Sequence, residues 1–273
     1  MGVFKVKTCI YYFTGTGNSY FAAKKLARYI NGADLIPIPS LIKEEEINCP
    51  YDNVGIAFPL YYGGLPEIVI RFLKKINIKK DAYIFALCTR GGSNGQAMAQ
   101  IDKILKQKRR RLNGNFYITM PDNYVKKFQM KAEEEGKEII RDANSDILKM
   151  AKAVSKRREI KRNFSFYGLI MKPFYRSFIK NVHTSDKDFN VNESCIGCGI
   201  CKKVCPVDNI ELVHGKPEWR MDCQQCMGCI QFCPNEAIQI GEKTENRGRY
   251  KNPYVTVEEL EAMKDYRLYK NKY

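Results

Sequence analysis

Apolar runs and helical patterns alternate through the first 120 residues, and that alternation predicts strands joined by crossover helices. Strands are expected over 6–13, 34–38, 53–59, 82–88 and 115–120. Helices are expected near 18–31, 66–76 and 95–110, the second opening on Pro66, a favoured first helical residue. Five strands in this arrangement predict an α/β fold with a doubly wound, five-stranded parallel sheet. From 130 to 160, Ile139, Ile140, Ala143, Ile147, Leu148, Ala151 and Val154 recur at helical spacing with charges opposite, which predicts one long amphipathic helix. Tyr167, Ile170, Met171, Phe174, Tyr175 and Phe178 repeat the spacing, and Pro173 should kink or restart the helix. That stripe reads first as core packing and second as contact with a membrane surface. A polar connector over 181–194 leads into the part of the chain where cysteine takes over.

Cys195, Cys198, Cys201, Cys205 and Pro206 recur 28 residues later as Cys223, Cys226, Cys229, Cys233 and Pro234. Ile210 and Ile238, four residues past each proline, extend the match and predict a duplicated unit with pseudo-twofold symmetry. These eight of the 11 cysteines crowd into 195–233, a clustering that points to metal rather than to disulfides. Cys9, Cys49 and Cys88 are scattered and read as packed thiols. No stretch approaches the ~20 apolar residues of a membrane span, and the start lacks a secretory pattern. Val6 stands where a myristoylation signal at Gly2 wants Ser or Thr. A cytoplasmic protein is the expectation. The domains divide as 1–125 for the sheet, 126–189 as a basic helical connector, 190–241 as the Cys-rich unit and 242–273 as a C-terminal extension.

The net charge is +16, but residues 101–180 hold +12 of it while 181–241 carry −3. Lys108, Arg109, Arg110 and Arg111 fall at a predicted helix end, where cations are favoured anyway, so no nucleic-acid partner is inferred. The opposite signs instead predict electrostatic docking of the Cys-rich unit, or of an acidic partner, against the basic segment.

Each repeat reads Cys-x-x-Cys-x-x-Cys-x-x-x-Cys-Pro. Three thiolates at this spacing wrap one corner of an iron–sulfur cube, and the fourth reaches the other cluster. One site is therefore Cys195, Cys198, Cys201 and Cys233, and the other is Cys223, Cys226, Cys229 and Cys205. Structural zinc, which takes separated Cys pairs, fits poorly. Residues 190–241 closely resemble the bacterial two-cluster ferredoxins, which implies a small α+β domain holding two [4Fe-4S] clusters.

The first predicted strand ends in Thr14-Gly15-Thr16-Gly17-Asn18-Ser19 before a helix, a turn rich in hydroxyls and backbone N–H groups suited to a phosphate. It is neither a P-loop nor the dinucleotide fingerprint. It resembles the FMN phosphate loop of flavodoxins. Two further loops stand at the carboxyl ends of the third and fourth strands, where doubly wound sheets collect ligands. They are Pro59-Leu60-Tyr61-Tyr62-Gly63-Gly64 and Thr89-Arg90-Gly91-Gly92. The resemblance, over 5–125, implies a flavodoxin-like domain in which Tyr61 or Tyr62 stacks on or edges the isoalloxazine and the glycines admit backbone amides to its polar edge. Arg90 stands where flavodoxins commonly place an aromatic residue. Asn123 and Tyr124 follow the fifth strand and border the same site.

As a whole the chain resembles the flavodoxin-like and double-ferredoxin fusion proteins of anaerobic bacteria, including an Arg249-Tyr250-x-x-Pro253 stretch. The resemblance implies FMN, two [4Fe-4S] clusters and electron transfer with a redox partner protein. The alternative is a flavin-dependent reductase of a quinone or tetrapyrrole fed by the clusters. No acid–base pair stands out, because His183 and His214 are isolated and read as solvated, so no catalytic residue is assigned.

Overall fold

The computed structural model describes residues 6–161 and 164–265, so Gly2 and the end of the 242–273 extension lie outside the described residues. In chain order the elements are β1 (Thr8–Tyr12), α1 (Asn18–Tyr29), β2 (Asp34–Pro37), β3 (Ile47–Cys49), β4 (Asn53–Pro59), α2 (Glu67–Lys75), β5 (Ile76–Ile78), β6 (Tyr83–Arg90), α3 (Ala97–Gln107) and β7 (Gly114–Thr119). There follow α4 (Glu133–Ser155), α5 (Phe166–Ile170), α6 (Lys172–Asn181), β8 (Phe189–Val191), α7 (Ile200–Val204), β9 (Ile210–Val213), β10 (Lys216–Trp219), α8 (Gly228–Gln231), β11 (Ile238–Ile240) and α9 (Val257–Ala262).

The main sheet is parallel throughout, in the order β2-β1-β4-β6-β7. Counting only its own strands, this is 2-1-3-4-5, the flavodoxin-like doubly wound order. Period-two alternation sorts its side chains into two cores. Ile10, Tyr12, Phe85 and Leu87 face α1 and α4, while Tyr11, Phe13, Ile56, Phe58 and Ala86 face α2 and α3. A short parallel pair, β3 with β5, was not anticipated, because three-residue strands leave almost no periodic signal.

Two expectations change here. The segment 126–189 is not simply a connector, since α4 buries Ile140, Ala143, Ile147, Met150, Ala151 and Val154 in the core it shares with α1 and closes the layered domain. The stripe over 167–178 is divided: α6 restarts at Lys172 beside Pro173, Tyr175 and Phe178 are buried against Tyr61 and Tyr62, and Ile170 and Phe174 stay exposed.

The Cys-rich lobe folds as two antiparallel strand pairs, β8 with β11 and β9 with β10, around the short helices α7 and α8. Its apolar core is small, Ile210, Ile230, Ile238 and Ile240 among the cysteines, with Val125, Met130 and Tyr250 from outside the lobe. The chain then returns to the first domain. Tyr254 stacks on Phe21, Thr256 and Glu259 form a capping box at α9, and Glu259 accepts from Tyr20 Oη at 3.1 Å and Lys24 Nζ at 2.5 Å. Burial alone would raise the Glu259 carboxyl, but the hydrogen bonds from Lys24, Thr256 and Tyr20 outweigh it and hold the group below the usual range. A depressed carboxyl contributes stability that is present above its unfolded value and lost as pH falls through its folded one. Glu259→Gln should therefore lower the melting temperature at pH 7, and the gap to the parent should close as pH drops below about 4. A gap unchanged at acid pH contradicts this assignment.

Candidate functional site

The carboxyl ends of β1, β4, β6 and β7 open onto a cavity of about 440 Å³. Its wall includes Thr14, Gly15, Thr16, Asn18 and Ser19 from the first loop; Pro59, Leu60, Tyr61, Tyr62 and Gly63 from the second; Thr89, Arg90, Gly91 and Gly92 from the third; and Asn123 and Tyr124. Two of the residues expected at the site serve it from behind. Gly17 sets the turn into α1 in a left-handed conformation, φ 98°, and Gly64 gives way to the Tyr175 ring, which a Cβ would meet at 2.3 Å.

The first loop is held by its own side chains. Thr14 Oγ1 accepts from the Gly17 amide at 3.2 Å, Thr16 Oγ1 accepts from Asn123 Nδ2 at 2.5 Å, and Ser19 and Thr89 hydroxyls meet at 2.7 Å. No side chain caps α1, so its first N–H groups remain for an anion. In the second loop, reciprocal bonds between Tyr61 and Gly64 close a two-residue turn with Tyr62 at φ 48° and Gly63 at φ 77°. A tyrosine in that left-handed position is costly, and the surroundings enforce it. The Tyr62 ring stacks on Phe178 at 4.9 Å, and its hydroxyl hydrogen-bonds that of Tyr124. Arg90 lies over the Tyr117 ring, and its buried Nε has no hydrogen-bond partner. A donor left over in the cavity wall, beside a phosphate-type loop, suits a flavin with polar ring edges, so the residues present fit FMN.

The eight clustered cysteines fall into two groups in space. Cys195, Cys198, Cys201 and Cys233 enclose one small cavity. Cys205 faces Cys223, Cys226 and Cys229. Burial, with the neighbouring thiols adding to it, pushes Cys201 and Cys223 up to about 11. Four crowded thiols per site are poor company as protons or charges, and a cubane that takes all four as thiolates resolves both costs. The sets differ in exposure: Cys198 is exposed and Ile196 beside it is 67% accessible, whereas Cys205, Cys223 and Cys229 are buried.

Gln225, Cys226 and Met227 also line the large cavity, so a cysteine of the inner set stands in its wall. Sequence reading missed Gln225 and Met227, yet the repeat held the signal. Gly197 and Gly199 adopt φ 68° and 75°, and their counterparts 28 residues on, Gln225 and Met227, are forced to 50° and 63°. The second repeat keeps the glycine backbone but hangs side chains from it. Both are buried, and Gln225 Oε1 accepts from Tyr124 Oη at 3.5 Å. Met120, Pro121, Asp122, Ser93, Lys127, Phe128, Tyr167 and Met171 complete the lining.

The charge at the junction is not carried by Arg110 and Arg111. Arg110 Nε bonds the Ile78 carbonyl at 3.0 Å and Arg111 pairs with Glu159, both within the first domain. The lobes meet through buried amides together with a few charged groups: Gln224 Nε2 donates to the Glu67 carboxylate at 3.2 Å, and Lys126 pairs with Asp188 at 3.0 Å. Gln224 Oε1 accepts from the Ile68 amide at the start of α2, and Gln231 Nε2 donates to the Asn123 carbonyl at 2.7 Å. Tyr250 Oη and Asn252 Nδ2 both donate to Asn18 Oδ1, which gives Tyr250 of the Arg249–Pro253 stretch a place at the junction. His183 is not merely solvated, since its Nδ1 lies 2.7 Å from Asp222 and its Nε2 3.5 Å from Glu67. His214 is exposed, and Cys9, Cys49 and Cys88 are buried.

Residues 194–238 match the family model of the 4Fe-4S dicluster domain. Over 59 residues the chain is 42% identical to the polyferredoxin protein MvhB of Methanothermus fervidus, an alignment spanning 20% of this chain and 14% of that protein. Solved structures similar to the first half include a flavodoxin from the domain Archaea, 12% identical over 54% of this chain and 99% of its own, TM-score 0.32. Another is an FMN-dependent NADH-azoreductase from Bacillus anthracis, 8% identical over 55% of this chain and 99% of its own, TM-score 0.38. The strand order, rather than these distant likenesses, defines the first domain. The chain is a flavodoxin-like domain joined to a 4Fe-4S ferredoxin-type domain.

Close approach of backbones makes a sharp test of the junction. A Cβ on Gly15 would lie 2.2 Å from the Cys226 carbonyl oxygen, whereas one on Gly92 meets nothing within 4 Å. Gly15→Ala should lower the melting temperature and speed proteolysis between the lobes, and Gly92→Ala should do neither. Equal behaviour of the two variants would contradict a fixed junction.

Proposed function

We propose that this protein transfers electrons between FMN in the large cavity, two [4Fe-4S] clusters on the two cysteine sets, and an external redox protein. The observation that carries the reading is Cys226, which belongs both to the inner set and to the cavity wall. When bound, the flavin exchanges one or two electrons and each cubane one. The chain's own part is positioning. Thr14 to Ser19 receive the phosphate, Gly91 and Gly92 admit backbone amides to the ring, and Arg90 offers its unpaired Nε to a polar edge. Tyr61 is half-buried between the cavity and the inner thiols, and desolvation of its hydroxyl, with Cys226 and Cys223 adding to it, pushes that group well above its ordinary value and keeps it neutral. Tyr62, Tyr124 and Met227 exclude water from the same region. At the other end, exposed Cys198 and Ile196, with Leu212 and Val213, form the face where a partner can meet the outer set. The order along the chain's interior is therefore cavity, inner set, outer set, partner.

Anaerobic reconstitution should yield about eight irons, eight sulfides and one FMN per chain. Cys233→Ser should remove the cluster of Cys195, Cys198 and Cys201 while leaving its own sequence neighbours loaded, as EPR can distinguish. Thr14→Ala with Thr16→Ala should weaken FMN binding by about 1.5–3 kcal/mol for each charged hydrogen bond lost. Ile196→Glu should retain all cofactors yet slow exchange with an external one-electron protein. Stoichiometric zinc without sulfide, or FAD bound as well as FMN, would overturn the assignment.

A further inference from the structure

Between Ile160 and Ser185 the sequence holds five lysines and arginines and no acidic residue. Within it, the six residues Phe166 to Met171 are apolar apart from the Tyr167 hydroxyl. The fold does not bury this material. Phe164, Phe166, Leu169, Ile170 and Phe174 are all more than half exposed, Phe164 to 83%. Lys161, Lys172, Arg176 and Lys180 are exposed around them. The ledge is firmly mounted: Gly168 sits against Gly95 and Gln96, Ser165 Oγ bonds the Asn94 carbonyl, and Tyr175 Oη bonds the Leu65 carbonyl at 2.9 Å.

We propose that α5 and α6 form a docking surface for an anionic lipid bilayer. A protein partner reads such a surface partly through hydrogen bonds, on the order of one per 100–200 Å², whereas here the ledge itself offers only the Tyr167 hydroxyl and every charged side chain of the segment is a cation. Protruding phenylalanines and aliphatic side chains ringed by cations, with no acid among them, are instead what an interface of acyl chains and anionic headgroups accepts. The span is far too short to cross, and among the described residues no helix is long and apolar enough to do so. Tyr167 and Met171 line the large cavity from the same ledge, so docking would set the cavity mouth against the lipid. Lipid binding itself requires neither the flavin nor the clusters.

The test is co-sedimentation of the full chain, with and without reconstituted cofactors, using vesicles of phosphatidylcholine alone or mixed with phosphatidylglycerol. Binding should be strong to the mixed vesicles, weak to phosphatidylcholine, and reduced as salt shortens the screening length. Phe166→Glu with Ile170→Glu should cut the partition coefficient at least about tenfold. Lys172→Glu with Arg176→Glu should remove the preference for the anionic lipid while circular dichroism stays unchanged. No binding to mixed vesicles at low salt would overturn the proposal. So would a doubled mass in light scattering that the Phe166→Glu, Ile170→Glu variant abolishes without any vesicle binding by the parent, because the ledge would then join two copies of this chain. Vesicle binding lost only when the cofactors are absent would contradict the independence claimed here and leave the electron-transfer reading intact.

Discussion

Three buried amide side chains hold the two lobes in one register. Gln224, Gln225 and Gln231 all belong to the second repeat, and each finds a partner in the flavodoxin-like domain: the Ile68 amide, the Tyr124 hydroxyl and the Asn123 carbonyl. A buried amide without its partner costs about 1–3 kcal/mol, so separating the lobes is opposed unless water reaches all three. The Gly15 to Cys226 backbone contact admits no side chain between them, and the C-terminal segment bonds Asn18 from the other side. Geometry at the junction is consequently a property of the fold rather than of a transient encounter.

That constraint explains why the repeats differ. The first repeat keeps glycines where its loop turns left-handed, and it lies toward solvent with Cys198 exposed. The second carries Gln225 and Met227 in the same backbone state, at about 1–2 kcal/mol of strain each, and both side chains face the cavity. Duplication supplied two equivalent cysteine sets, and burial made them unequal. One set borders the cavity and one borders solvent, an asymmetry that gives the molecule a direction from interior to surface.

Much of this was legible beforehand, for reasons that can be named. Strand and helix periodicity was strong because each strand is buried on both faces or alternates between two cores, as Ile10, Tyr11 and Tyr12 do. The cysteine spacing anticipated which thiols lie near one another, since its period leaves little freedom in how four of them converge. Loops at the strand ends followed from the topology, and all but Gly17 and Gly64 of the residues expected there line the cavity. What escaped was tertiary. No local pattern marks α4 as part of the layered domain, or divides Tyr175 and Phe178 from Phe174. Net charge was a coarse guide for the same reason, because Arg110 and Arg111 are used within their own domain while Lys126 of the same basic segment pairs with Asp188 and buried amides make the remaining bonds.

The central claim is that the inner cysteine set and the cavity are held together permanently. Laser-flash photoreduction of the loaded protein, with cluster and flavin absorbance followed separately, tests it most directly. A fixed junction predicts that electron exchange between the two is first-order, with a rate constant independent of protein concentration and of ionic strength. A rate that rises in proportion to protein concentration, or falls steadily with salt, would contradict it.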